Sequence, residues 1–206
     1  MTASLLLYFL GASVVLTVTP GPDNIFVITQ GITHGRKTAI ITALGMCSGL
    51  SIHTTAAALG ISAIFYSSVI AFNIVKFAGA AYLLYLACKT LKERSSVKLS
   101  PADDQPITAL FKRGFIMNVL NPKIAMFFLA FLPQFVAANA GSIPLQMLIL
   151  GFMFMVQGVI IFSLIGYFSG TIGNFLLTRP KISKCFDFVT AGVFASLGIR
   201  LAFSAR

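Results

Sequence analysis

Apolar residues run almost unbroken from Leu5 to Val18, and the run resumes at Ile25-Phe26-Val27-Ile28. Between them lies a stretch of another kind, Thr19-Pro20-Gly21-Pro22-Asp23-Asn24. A membrane crossing takes about 20 apolar residues, and stretches of that length recur along the chain. They predict six spans, at about 4–30, 38–66, 70–91, 110–136, 143–170 and 185–203. A polar linker at about 92–108, with Glu93, Arg94, Ser95, Ser96, Pro101, Asp103, Asp104 and Pro106, separates two groups of three spans, about 1–91 and 109–206. The expected fold is an all-α membrane protein with a single transmembrane domain of six helices.

The two groups echo one another. Pro20 in the first span answers to Pro122 in the fourth, Gly45 and Gly60 in the second to Gly151 and Gly166 in the fifth, and Ala78-Gly79 in the third to Ala191-Gly192 in the sixth. The spacing between partners grows only across connections, as loop insertions would make it. An odd number of spans per repeat forces the halves into opposite orientations, the inverted-repeat design whose sites lie near mid-membrane on broken helices. Helices 1 and 4 are expected to break at their prolines.

Composition supports the membrane reading. Of 206 residues, 57% are hydrophobic and only 10% charged, against about 25% charged in a soluble domain. Met1-Thr2-Ala3-Ser4 carries no basic n-region, so the first apolar stretch is expected to be a retained span and not a signal peptide. The net charge of +10 would suggest nucleic acid in a soluble protein. Here the basic residues sit mainly between spans, where orientation and anionic lipid account for them, and no nucleic-acid partner is expected. Arg36 and Lys37, then Lys89 to Arg113, then Arg179, Lys181 and Lys184 mark loops 31–37, 92–112 and 171–184 as cytoplasmic. Both termini are then outside, an arrangement that leaves Arg200 and Arg206 on the less favoured side.

The chemistry concentrates at the breaks. A proline has no N–H, so Pro20 and Pro22 leave the carbonyls of Leu16 and Val18 without their helical donors, and Pro122 does the same for Asn118. Lipid tolerates such a break only where it is buried in protein or lines a wet cavity. An aspartate at mid-span costs about 2.5–3.5 kcal/mol on insertion scales, so Asp23 needs a partner. The second break, Asn118-Val119-Leu120-Asn121-Pro122-Lys123, supplies a cation, and Asn118 and Asn121 share a helix face. Inverted halves would bring Asp23 and Lys123 together. Two readings follow. In one, a small zwitterion binds with its ammonium on Asp23 and its carboxylate on Lys123, the Asn118 and Asn121 amides and a helix N-terminus. In the other, Asp23 and Lys123 pair with each other and merely close the structure. The candidate binding or gating residues are Pro20, Gly21, Pro22, Asp23, Asn24, Asn118, Asn121, Pro122 and Lys123. Gln30 extends the polar face of Asp23. His53, among Gly45, Gly49, Ala56 and Gly60, is either a relay or a packing group, and Gln157 and Gln134 add weaker polar positions.

Other chemistry is missing. No phosphate-binding G-x-x-x-x-G-K-[ST] loop, HExxH or Ser/His/Asp set is present, so neither an enzyme nor a cofactor is expected. Cys47, Cys88 and Cys185 are scattered, which suggests neither a disulfide framework nor a metal site. Gly79-Ala80-Ala81 offers a small-residue face for a homodimer or for packing within one chain.

The motif Thr19 to Asn24, followed by Gly31-Ile32-Thr33-His34-Gly35-Arg36-Lys37, and the motif Phe111 to Lys123 together resemble the LysE/RhtB family of bacterial amino-acid exporters. The resemblance covers essentially the whole chain. It implies export of amino acids or close derivatives from the cytoplasm across the inner membrane, driven by the proton motive force. The wider superfamily also holds heavy-metal exporters, for which Asp23 and His53 would be ligands, and thiol electron carriers, which need cysteines in facing spans that this chain lacks. A packing-only membrane scaffold is the remaining alternative.

Overall fold

A computed structural model describes residues 2–19, 21–61, 69–92, 106–137, 140–172 and 180–203, and the described residues are largely helical. The helices are α1 (Ala3–Val18), α2 (Pro22–His34), α3 (Arg36–Ala56), α4 (Val69–Lys92), α5 (Ile107–Val119), α6 (Pro122–Met126), α7 (Ile143–Tyr167) and α8 (Pro180–Phe203). Among the described residues, three helical segments are long and apolar enough to cross a membrane, and two bent pairs bring the number of spans to as many as five. The bent pairs are α1 with α2, at 55°, and α5 with the segment 122–135, at 46°. The sixth expected span falls in α8, outside that set. Most of the linker at 92–108 and the end of the second expected span lie outside the described residues.

Local sequence accounts for where the helices stop. Thr19 leaves helical geometry at ψ 121°, Gly21 is extended, and Pro22 opens α2. The first helical position needs no N–H, so proline suits it. The second break repeats this with Asn121 extended and Pro122 in the first helical position of α6. After Met126 the helix loosens into a π turn, Phe127–Phe131, and then tightens into a 3-10 turn, Leu132–Phe135, where Pro133 lies. The expected basic loop 31–37 is largely helix ends. Gly35 alone separates α2 from α3, with a φ of 86° that favours glycine.

Helices approach closely where glycines face them. A Cβ on Gly45 of α3 would overlap the Phe111 carbonyl of α5, and one on Gly114 would come within 2.6 Å of the Thr42 carbonyl. Gly151 of α7 lies as close to Thr54 of α3, and Gly31 of α2 to Ser169 beyond α7. Ala80 of α4 is buried, and its carbonyl would sit 3.1 Å from a Cβ on Gly198 of α8. That part of the small-residue face therefore packs within the chain.

The apolar core is aromatic at one end. Phe9 of α1 contacts Phe127 and Phe135, with ring centroids at 6.4 and 5.1 Å, and Phe127 meets Phe154 of α7 at 5.0 Å. At the same end the Arg200 guanidinium of α8 lies 4.4 Å from the Tyr8 ring centre, which gives that cation an aromatic partner. Elsewhere Arg113 lies over Phe26 and Arg36 over Tyr167. The outer surface carries large apolar residues, among them Leu7, Ile74, Phe152 and Phe203. Asp23, Asn24, Asn118, Asn121 and Gln157 are buried instead, the inside-out distribution that lipid demands.

Candidate functional site

The two breaks meet. Leu16, Thr17, Asp23, Asn24, Leu50, Asn118, Lys123, Ile124, Phe154 and Phe162 line one cavity of about 10 Å³, roughly the room for a single water molecule. This is a closed arrangement, far too small for an amino acid.

Each break satisfies its own freed carbonyls or borrows a donor for them. Asn24 folds its amide back across the first break, and its Nδ2 donates to the carbonyls of Thr17 at 3.2 Å, Val18 at 3.3 Å and Thr19 at 2.5 Å. The Leu16 carbonyl receives its hydrogen bond from Lys123 Nζ, at 3.0 Å. A cation of the second break thus caps the end of α1, where the helix dipole is negative. At the second break the Asn118 carbonyl accepts from the Asn121 backbone N–H at 3.0 Å and from His53 Nε2 of α3 at 3.1 Å. His53 is committed to this bond and to packing 5.8 Å from the Phe128 ring, which weakens its case as a metal ligand.

Asn121 joins the halves. Its Oδ1 accepts from the Lys123 backbone N–H at 3.0 Å and so caps α6. Its Nδ2 donates to Asp23 Oδ2 at 2.7 Å across the two breaks. Asp23 lies in the first turn of α2, where the dipole favours a carboxylate. Its hydrogen-bonded neighbour in this state is Asn121, while Lys123 donates to Leu16.

Three acceptors on residues that line the cavity remain unpartnered: Asp23 Oδ1, Asn24 Oδ1 and Asn118 Oδ1, the last packed against Gly49 of α3. Buried oxygens left in this condition cost about 1–3 kcal/mol each. They come from both breaks and favour an occupant rich in N–H donors.

Of the other sequence candidates, Gly21 sits beside Lys123, with 3.6 Å between the ammonium and the position a Cβ would take. Pro22 and Pro122 open their helices. Pro20 lies outside the described residues. Gln30 does not line the cavity, and its Oε1 accepts from His34 Nδ1 at 3.1 Å. Leu50, Ile124, Phe154 and Phe162 line the cavity without a sequence signal, because an apolar residue in a span looks the same facing a cavity or facing lipid, and Thr17 joins them as a hydroxyl of the kind spans carry for packing. Nor does the sequence mark Thr190 of α8, which bonds Thr19 at the first break at 3.2 Å.

The described residues form an apolar helical bundle in which two bent helix pairs meet around buried charge. Residues 14–205 match the family model described as LysE type translocator. The chain belongs to that family, and it is a multi-pass membrane protein. It is 32% identical to a homoserine/homoserine lactone efflux protein of Salmonella typhimurium, over 96% of this chain and 95% of that one. It is 30% identical to a leucine efflux protein of Klebsiella pneumoniae, over 96% and 93%. It is also 29% identical to the uncharacterized membrane protein YrhP of Bacillus subtilis, over 97% and 99%. No solved structure matches the chain.

Proposed function

We propose that this protein is a secondary exporter of amino acids or close derivatives, moving them from the cytoplasm across the bacterial inner membrane. The observation that carries the reading is the shared cavity: a carboxylate from the first break and an ammonium from the second line one space. Efflux relatives at about this similarity, one for leucine and one for homoserine and its lactone, support it.

The substrate ammonium has three N–H donors. Asp23 Oδ1, Asn24 Oδ1 and Asn118 Oδ1 supply three unpartnered acceptors for it. The carboxylate is taken by Lys123 once it leaves the Leu16 carbonyl, aided by the N-terminus of α2. The Asn121 amide, expected from sequence to serve the carboxylate, holds Asp23 in the closed state instead. A neutral zwitterion balances this pair of charges. A dibasic substrate would need a further carboxylate.

In this proposal six spans form two inverted three-helix repeats, with spans 1 and 4 broken at their prolines. Loops 31–37, 92–112 and 171–184 face the cytoplasm and both termini face outward. The repeats rock to open the site alternately to each side. The aromatic cluster of Phe9, Phe127, Phe135 and Phe154 seals the outer side. The proton motive force drives export, because a proton on Asp23 and a substrate ammonium compete for the same carboxylate and so exchange across the membrane.

The test is efflux from loaded vesicles across a panel of radiolabelled amino acids, with and without the protein. Selective efflux of neutral amino acids, lost on collapse of the proton gradient, is expected. Inserted protein that moves no amino acid would overturn the reading.

A further inference from the structure

Gln157 of α7 lies beside the cavity without serving either charged group. It is only 8% exposed. On α7, Phe154 and Phe162 line the cavity, and Gln157, three residues past Phe154, borders it through its bond to the lining residue Thr17. Its Nε2 donates to Thr17 Oγ1 at 2.9 Å and to the Phe154 carbonyl at 3.0 Å. Both hydrogens of the amide nitrogen are thereby used. Thr17, itself a lining residue, gives its own hydroxyl hydrogen to the Ser13 carbonyl at 2.9 Å. The amide orientation is therefore fixed, since a flipped amide would set Oε1 against the Phe154 carbonyl. What remains is Gln157 Oε1, a buried acceptor with no partner.

We infer that Gln157 is a specificity residue that reads a hydrogen-bond donor on the substrate side chain, and that the preferred substrates are neutral amino acids with a short hydroxylated side chain. The inference rests on the exporter reading above. Leu16, Leu50, Ile124, Phe154 and Phe162 make the surrounding wall apolar, so the side chain must be mostly apolar with one donor. A carboxylate side chain would face an acceptor. A second ammonium would lie in a cavity whose acidic residue, Asp23, already serves the first. A hydroxyl on a short carbon chain meets every condition. Ser13, one turn from Thr17 on the same face of α1, has a buried hydroxyl oxygen that is also unpartnered.

The chemical test uses pairs that exchange only a hydroxyl for a methyl group: homoserine against norvaline, and threonine against valine. Efflux of each pair is measured from vesicles holding wild type, Gln157→Leu or Gln157→Met, with inserted protein quantified. Wild type is expected to favour the hydroxylated member by about tenfold or more. Both variants should bring that ratio close to one, whatever happens to absolute rates, because a purely structural loss slows both members alike. A wild type that moves both members of each pair equally would overturn the specificity assignment and leave the exporter reading standing. So would variants that keep the wild-type ratio. A wild type that moves no amino acid would overturn the exporter reading itself.

Discussion

Replacing Asn121 by serine separates its two duties. Serine is a good helix cap, so the start of α6 keeps an acceptor for the Lys123 N–H. Serine is too short to span to Asp23, so the 2.7 Å bond to Oδ2 is lost. A hydrogen bond to a charged group is worth about 1.5–3 kcal/mol, and Asp23 Oδ1 has no hydrogen-bond partner to compensate. Asn121→Ser should therefore destabilise the closed protein by about 2 kcal/mol. Asn121→Ala loses the cap as well and should cost about 1 kcal/mol more. At this chain length about 2 kcal/mol corresponds to a fall of roughly 4–8 °C in the unfolding midpoint, readable by thermal denaturation of purified protein in detergent. Placed in a double-mutant cycle, Asn121→Ser should cost about 1 kcal/mol less in an Asp23→Asn background, because the charge-assisted part of the bond is already gone. An Asn121→Ser protein that melts with wild type, with no coupling to Asp23, would refute the claim that this bond ties the two breaks together.

Gly45→Ala should destabilise by about 1–3 kcal/mol through overpacking against the Phe111 backbone. Gly11→Ala in α1, with nothing within 4 Å of its Cβ position, should be neutral or stabilise by up to about 1 kcal/mol; the same melting assay reads both. Asn24→Ala removes the donor from three carbonyls at the first break and should cost about 1–3 kcal/mol. Asn24→Asp, although isosteric, should be worse, because it points an oxygen at those carbonyls.

The breaks were legible because proline, glycine and charge in an apolar run have few physical explanations. The proline rule even names the carbonyls of Leu16, Val18 and Asn118 as those that lose their i+4 helical donor. The donors that meet them were not legible. That Lys123 reaches Leu16, that Asn24 folds back on its own break and that His53 serves Asn118 all depend on how α1, α2, α3, α5 and α6 sit against one another. Either Asp23–Lys123 reading was open from the residue types, and neither anticipated Asn121 as the bridge. Gly45 and Gly49 let α3 and α5 approach closely, but glycines in spans do not name their partners, which packing alone reveals as Phe111 and Asn118. Gln157 was visible only as a polar residue in a span. Its fixed amide and its open acceptor come from contacts with Thr17 and Phe154.

The central claim is that Asp23 and Lys123, one from each break, form one substrate site. It is tested most directly by efflux of a radiolabelled neutral amino acid from vesicles containing wild type, Asp23→Asn or Lys123→Gln at matched amounts of inserted protein. Robust efflux by wild type and near-complete loss in both variants are expected. Undiminished efflux by either variant would contradict the claim.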